Sequence, residues 1–179
     1  MAPNIALATC AAFPELAEDD PLLRDELQRR GLAVLPVVWD DADVEWDAHD
    51  LVIVRSTWDY AARHERYIRW AKSVRRLLNA AEIIEWNTDK RYLAEVPHAV
   101  ATAFLEPGDT FEPPAGQYVL KPSISQGSRD TARYGPGDEQ RATAHAERLL
   151  EDGRAVMVQP YLKAVDDHGE TALIYFDGS

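Results

Sequence analysis

The sequence 119-VLKPSISQGSRDTARY-134 predicts two strands joined by a polar loop. An apolar strand pattern over 117–124 contains a Lys-Pro pair, and a second, shorter strand pattern covers 130–134. The loop between them, 124–130, carries Gly127, and its hydroxyls and backbone amides can surround an anion. Three cationic side chains against one carboxylate give 119–134 a net charge of plus two within a chain of minus 12. The stretch therefore predicts a hairpin of an antiparallel sheet with a loop that binds a small anionic ligand.

The flanking sequence extends this hairpin into an α+β unit. A helix closed by a glycine is expected near 137–152, and a further strand over 154–162. Upstream, a short helix over 88–96 and the apolar segment 99–105 precede a Pro- and Gly-rich segment, 106–116, that predicts an exposed loop. The second half of the chain is thus expected to place its strands in one antiparallel sheet.

The first half alternates strand and helix patterns instead. Asp20 and Pro21 are typical of a helix start, and Gly31 is typical of its C-terminal cap. Four apolar runs around this helix are of the buried-strand type: 4–10, 32–39, 51–56 and 82–86. We therefore expect a small parallel sheet flanked by helices.

Residues 62–78 predict a second helix. Tyr67, Ala71, Val74 and Leu78 recur at steps of four, three and four, which is the spacing of a single apolar stripe. Six Lys and Arg residues against one Glu cover the rest of the segment. A solvated helix face is the favoured interpretation of these cations, ahead of an anion site.

Parallel sheets bind ligands beyond the carboxyl ends of their strands. Those ends are expected at 9–10, 39–40, 55–59 and 87. The sequence RSTWDY (55–60) therefore lies where a substrate would bind, and its candidate contacts are Arg55, Ser56, Thr57 and Asp59. An alternative stays open, in which Arg55 pairs with a carboxylate while Trp58 and Tyr60 pack under the following helix.

Composition and charge limit the function classes. With 179 residues, 46% of them hydrophobic, the chain can form one large domain or two small ones. A net charge of minus 12 disfavours a nucleic-acid or anionic-membrane surface. Cys10 has no intramolecular disulfide partner, and the sequence contains neither a bilayer-length apolar run nor a basic-then-apolar N-terminus. A cytoplasmic protein with small-molecule partners is expected, and a homodimer stays open.

Several common motifs are missing from the sequence. It contains no G-x-G-x-x-G, no glycine loop ending in Lys-Ser or Lys-Thr, and no nucleophile elbow marking a Ser-His-acid set. The five histidines lack metal-ligand spacing, so a zinc site is not expected. Ordinary core or surface roles are the favoured interpretation of each histidine.

Four blocks in order resemble the ATP-grasp superfamily: WNTDKRYL (86–93), YVLKPSISQGSRDTARY (118–134), VMVQPYL (156–162) and GETALIYFDG (169–178). The branch that they resemble most contains D-cycloserine ligase together with glutathione-synthetase-like and RimK-like proteins. Each block alone is weak, but their order over 86–178 makes the resemblance specific. It implies a nucleotide-binding unit in the second half, preceded by a pre-ATP-grasp α/β domain.

The resemblance also implies a role for each matched position. Lys90 and Lys121 would reach the nucleotide phosphates, because two ammonium groups on rigid elements lower the repulsion between phosphate oxygens. The loop amides would close over the phosphates, a hinge would read the adenine edge, and an acid would accept the ribose hydroxyls. The positions are Ser125, Gln126, Gly127 and Ser128 in the loop, Gln159, Tyr161 and Leu162 in the hinge, and Glu170 as the acid. Arg129 is the candidate catalytic residue, and together with Arg55 it would bind the substrate anion or the acyl phosphate.

The implied domains are a substrate-side domain over 1–86, an ATP-grasp nucleotide subdomain over 87–165, and the first strand of a truncated C-terminal domain over 166–179. The Mg²⁺ ligands of such enzymes are expected beyond Ser179, so no residue here is assigned to a metal. The implied function is the ATP-binding part of a ligase, which activates a carboxylate or similar group as an acyl phosphate for attack by an amine or related nucleophile. The chain is expected to be inactive alone. A non-catalytic nucleotide-binding or interaction module and an ATP-grasp kinase stay open as alternatives.

Overall fold

The computed structural model describes residues 2–17, 19–169 and 171–173. Within them, two four-stranded sheets follow one another along the chain. We call residues 4–88, which hold a parallel sheet, the first lobe, and residues 103–160, which hold an antiparallel sheet, the second lobe. Both sheet types confirm the prediction made from the sequence patterns.

The first sheet has the strand order β2-β1-β3-β4, and every neighbouring pair is parallel. Its strands are β1 (Asn4–Thr9), β2 (Ala33–Val38), β3 (Leu51–Val54) and β4 (Leu77–Leu78). The helices of this lobe are α1 (Asp20–Arg29), α2 (His64–Ser73) and α3 (Ala81–Thr88), with 3₁₀ turns at Trp46–Ala48 and Tyr60–Arg63.

Local sequence sets the two ends of α1. The helix begins at Asp20 and carries Pro21 in its first turn, where a missing backbone N–H removes no helical hydrogen bond. After its end Gly31 adopts a φ of 84°, and the Gly31 N–H donates to the Gln28 carbonyl at 2.9 Å. The predicted helix is thus confirmed; Asp20 is its first residue after the N-cap Asp19, and Gly31 follows the C-cap Arg30.

Residues 82–86 are helical, so the prediction of a strand there was wrong. They lie inside α3, where Ile84 and Thr88 stand one turn apart and are both buried. A short run of branched apolar residues fits one buried helix face as well as it fits a strand, and α2 packs against this face. The fourth strand is Leu77–Leu78 instead, and Asn87 is therefore not a strand end.

The helix predicted over 62–78 is shorter in the structure. α2 ends at Ser73, and the predicted stripe is buried at Tyr67, Ala71 and Val74. Leu78 lies in β4 and is 50% exposed. Because β4 pairs with β3, the chain leaves the helix after Ser73 and becomes extended at Val74.

The second sheet has the order β5-β8-β6-β7, and all its neighbouring pairs are antiparallel. Its strands are β5 (Ala103–Leu105), β6 (Tyr118–Pro122), β7 (Ala132–Tyr134) and β8 (Val156–Pro160). Helix α4 (Glu139–Glu151) covers one face and closes a core that contains Leu120, Leu149 and Val156. A 3₁₀ turn at Lys90–Ala94 precedes this lobe, and a short helix, α5 (Ala164–His168), follows it.

Alternation along β6 places two kinds of side chain on opposite faces of the second sheet. Tyr118 and Leu120 belong to the core under α4, whereas Val119 and Lys121 alternate with them and are only partly buried. In the strand register Lys121 lies opposite Met157 of β8. The sheet face away from α4 therefore carries Lys121.

Candidate functional site

A cleft of about 560 Å³ lies between the two lobes. The first lobe contributes residues that follow β3, among them Trp58, Asp59 and His64. The second lobe contributes the loop after β6, 123–126, and Arg129. Both stretches singled out in the sequence, RSTWDY and the polar hairpin loop, thus meet at one cleft.

The hairpin loop is held at its base and exposed at its tip. The Ser123 N–H donates to the Ala155 carbonyl at 2.9 Å, and Ser125 is buried. Gly127 and Ser128 both have left-handed backbone, with φ of 61° and 56°, and both are exposed. Glycine fits this conformation without steric cost, which allows the tight turn at the tip. The loop that was predicted to surround an anion is therefore a turn on a fixed base.

Lys90 reaches into this loop from the preceding 3₁₀ turn. Its Nζ donates to the Ser125 carbonyl at 2.7 Å and to the Ser125 Oγ at 3.2 Å. Burial lowers the pKa of Lys90, and the positive charge of Lys121 lowers the Lys90 pKa further. The two lysines predicted to reach phosphates are thus close enough in space for their charges to interact.

Tyr60 of the first lobe contacts the same carbonyl. Its hydroxyl donates to the Ser125 carbonyl at 3.1 Å, and its ring packs on Tyr67 of α2 at 5.4 Å between centroids. Burial raises the pKa of Tyr60, and the neighbouring Tyr92 raises it further. The Tyr60 hydroxyl is therefore protonated at neutral pH and is a hydrogen-bond donor to the loop.

The predicted hinge lies at the C-terminal end of β8. Gln159 Nε2 donates to Thr102 Oγ1 at 2.8 Å, and the Tyr161 N–H donates to the Gln117 carbonyl at 2.9 Å. The Arg133 guanidinium lies 3.5 Å from the centroid of the Tyr161 ring, whose hydroxyl bonds to Asp166. That hydrogen bond to Asp166 raises the pKa of Tyr161. Leu162, the last predicted hinge residue, is 47% exposed.

The predicted hinge residue Gln159 and Lys121 lie on the same face of the second sheet. Gln159 lies opposite Val119, and Val119 and Lys121 are two residues apart on β6, a spacing of about 7 Å along a strand. Gln159 is therefore offset along the sheet from Lys121, in the direction away from the Ser125 loop.

The side chains of RSTWDY are mostly engaged within the first lobe. Arg55 Nε donates to Asp20 Oδ1 at 2.7 Å, so Arg55 pairs with a carboxylate as in the alternative stated above. Ser56 and Thr57 are buried, with hydrogen bonds to Asp20, the Ala17 N–H and the Tyr67 hydroxyl. Asp59 accepts from Trp39 Nε1 at 2.8 Å and pairs with Arg63.

Arg129 and Glu170 complete the predicted site residues. Arg129 is exposed, lines the cleft, and has no ion-pair partner among the residues that the structure describes. Its backbone N–H donates to the Gln126 carbonyl at 3.3 Å, which fixes the end of the turn. Glu170 lies outside the described residues.

His64 is a cleft residue that the sequence patterns missed. Its Nε2 lies 2.8 Å from Thr88 Oγ1, and the Thr88 hydroxyl donates to the Ile84 carbonyl at 2.8 Å. Because that hydroxyl proton is used, His64 Nε2 is the donor and Nδ1 carries the lone pair. Burial lowers the pKa of His64, which keeps the ring neutral at pH 7. No spacing rule connects His64 to a site, so only the fold reveals its position.

Across residues 2–17, 19–169 and 171–173, no group of three or more His, Cys, Asp or Glu side chains is arranged to hold a metal ion. No helix in the same ranges is both long and apolar enough to cross a membrane.

The two-lobe architecture is that of the ATP-grasp ligases, the group that the sequence blocks resemble. Residues 5–79 match the family described as the N-terminal domain of D-cycloserine synthetase DcsG. The cycloserine biosynthesis protein DcsG of Streptomyces lavendulae is 32% identical over 191 residues, which cover 97% of this chain and 64% of that protein. This chain therefore spans less than two thirds of the length of its relative.

Solved structures show the same fold. The crystal structure of D-cycloserine synthetase DcsG gives a TM-score of 0.83 at 30% identity, over 93% of this chain and 62% of that one. The D-alanine–D-alanine ligase of Bacillus anthracis complexed with ATP gives a TM-score of 0.55 at 13% identity, over 90% of this chain and 60% of that one. The second likeness concerns the fold alone.

Proposed function

We propose that this chain is the substrate-binding and nucleotide-binding part of an ATP-dependent ligase of the ATP-grasp type. The observation that carries the proposal is geometric: Lys90 Nζ lies 2.7 Å from the Ser125 carbonyl, in the loop that follows the strand bearing Lys121. The positive charge of Lys121 lowers the pKa of Lys90, so an anion bound beside both ammonium groups would offset their repulsion. The polyphosphate of ATP is such an anion.

The remaining loop and hinge residues extend this assignment. In our proposal the amides of Gln126, Gly127 and Ser128 cover the phosphates, while the backbone around Gln159, Tyr161 and Leu162 reads the adenine edge. Gly127 and Ser128 are exposed and left-handed, which suits a turn whose amides face a ligand. We also propose that Glu170 contacts the ribose hydroxyls.

The chemistry that we propose is carboxylate activation. An oxygen of a substrate carboxylate, or of a similar group, attacks the terminal phosphorus of ATP and displaces ADP. An amine or related nucleophile then attacks the acyl carbon of the acyl phosphate and displaces inorganic phosphate. Arg129 is suited to the transferred phosphate because it is exposed at the cleft beside the loop. Homology to D-cycloserine synthetase supports small amino-acid-like substrates. We further propose that residues 1–86 bind that substrate, with Arg55 among its contacts, and that 87–165 bind the nucleotide.

Calorimetric titration of a Lys121→Ala variant tests the nucleotide assignment. Loss of a charged hydrogen bond to phosphate should weaken ATP binding by about 1.5 to 3 kcal/mol and leave adenosine binding unchanged. Lys72→Ala is the matched control, because Lys72 is an exposed lysine of α2 that pairs with Glu85 of α3, and its loss changes the net charge equally. Equal losses of ATP and adenosine affinity in Lys121→Ala would contradict the assignment.

A further inference from the structure

The Ser125 carbonyl accepts hydrogen bonds from the first lobe and from the segment between the lobes at once. Lys90 Nζ lies 2.7 Å from it, and the Tyr60 hydroxyl lies 3.1 Å from it. Tyr60 follows β3 in the first lobe, whereas Ser125 follows β6 in the second. The position of the anion loop is therefore tied to the lobe that carries RSTWDY.

The two donors differ in what happens to them when a nucleotide binds. Lys90 is a proposed phosphate ligand, and its ammonium protons are now directed at Ser125 O and Oγ. A phosphate that recruits Lys90 competes with those two bonds. The Tyr60 hydroxyl has no such competing role, and the packing of its ring on Tyr67 and His64 fixes its position.

We infer that Tyr60 is a positioning residue, which holds the anion loop through the Ser125 carbonyl when Lys90 turns to the phosphates. This inference rests on the proposed function for the nucleotide, but the contact itself does not. Without the Tyr60 hydroxyl, a loop that has lost Lys90 loses both of the hydrogen bonds described above to this carbonyl. The loop would then open, and the amides proposed to cover the phosphates would leave them.

Hydrogen exchange of the loop amides, 124–129, tests the contact without nucleotide. Tyr60→Phe keeps the ring and its packing and removes only the hydroxyl. In the wild-type background the Lys90 bond remains, so the variant should raise loop exchange only slightly. In a Lys90→Met background the same substitution should raise it by roughly three- to tenfold, the equivalent of one neutral hydrogen bond. Tyr92→Phe is the control, because its nearby hydroxyl makes no hydrogen bond to any described residue.

Titration with ATP and adenosine separates this inference from the proposed function. Tyr60→Phe should weaken ATP binding by roughly three- to tenfold with adenosine unchanged, while Tyr92→Phe alters neither. An equal effect of Tyr60→Phe on exchange in both backgrounds overturns the inference and leaves the nucleotide assignment intact. Unchanged ATP affinity in Tyr60→Phe, with ATP bound normally by the wild type, also overturns it. A wild-type chain that does not bind ATP overturns the proposed function and the inference together.

Discussion

Replacing Asp20 with alanine removes the acceptor that joins α1 to the carboxyl end of β3. The Asp20 carboxylate is 10% exposed at its side chain, accepts from Arg55 and from the Ser56 hydroxyl, and lies in the first turn of α1. Ser56 in turn accepts from the Ala17 N–H at 3.0 Å. One carboxylate therefore ties together the entry to α1 and the start of RSTWDY.

The expected cost follows from these contacts. Hydrogen bonds to a charged group contribute about 1.5 to 3 kcal/mol each, and a carboxylate in the first turn of a helix adds about 0.3 to 1 kcal/mol. The Arg55 side chain is 40% exposed, so water replaces part of its interaction after the substitution. We expect Asp20→Ala to lower the free energy of unfolding of the first lobe by about 2 to 4 kcal/mol. Asp20→Asn, which keeps an acceptor oxygen and loses the charge, should cost less.

Tryptophan fluorescence during urea unfolding measures this change in the right part of the chain. All five tryptophans, at 39, 46, 58, 70 and 86, belong to the first lobe. Asp25→Ala is the matched control on the same helix, because Asp25 is 61% exposed and its one ion pair within the described part of the chain is with Arg24. An exposed pair of this kind contributes at most about 1 kcal/mol. Equal effects of Asp20→Ala and Asp25→Ala would refute the assignment of Asp20 as the tie between α1 and β3.

Three further results are expected. Arg55→Ala should leave ATP affinity unchanged in a calorimetric titration, because Arg55 pairs with Asp20 away from the Ser125 loop, and lost ATP binding would contradict the two-site layout. Burial lowers the pKa of His49, His64 and His145 below the unfolded value of about 6.5. As pH falls, these histidines therefore bind protons at a higher pH in the unfolded chain than in the folded chain. The contribution of these neutral histidines to stability is therefore fully present above about pH 6.5 and declines below it. His64→Gln should reduce the change of the urea midpoint with pH between about pH 7.5 and 5.5, and an unchanged pH dependence would rule out a contribution from His64. Leu149→Ala should destabilise the second lobe by about 2 to 5 kcal/mol in circular dichroism and shift the tryptophan midpoint less, and equal shifts would show that the lobes unfold as one.

Sequence periodicity predicted most of the fold because most of the sequence patterns are compatible with only one kind of secondary structure. A glycine-capped helix after Asp20 and the strand–loop–strand of 118–134 were confirmed in place. The failure at 82–86 has a physical cause, since a five-residue apolar run is too short to distinguish a buried strand from one face of a helix. Tertiary packing of Ile84 beneath α2 decides in favour of the helix.

The candidate site was predictable only where its residues are neighbours in sequence. Lys121 and the loop from Ser125 to Ser128 stand together in one block, and the resemblance supplied Lys90. The contact between Tyr60 and the Ser125 carbonyl joins residues 65 positions apart, and no periodicity or motif in the sequence predicts it. The same holds for His64, whose tautomer depends on Thr88 in another helix.

The position of β8 in the second sheet also determines when that sheet can assemble during synthesis. β8 is the last strand along the part of the chain that the structure describes, yet it lies between β5 and β6 and pairs with both. All strands of the first sheet are available once Leu78 has left the ribosome, whereas β5 and β6 keep unpaired edges until Val156 to Pro160 have left it. Unpaired edges are templates for aggregation, and pairings distant in sequence form slowly. The first lobe can therefore fold early on the ribosome, and the second lobe is the part of the nascent chain that depends most on protection by chaperones.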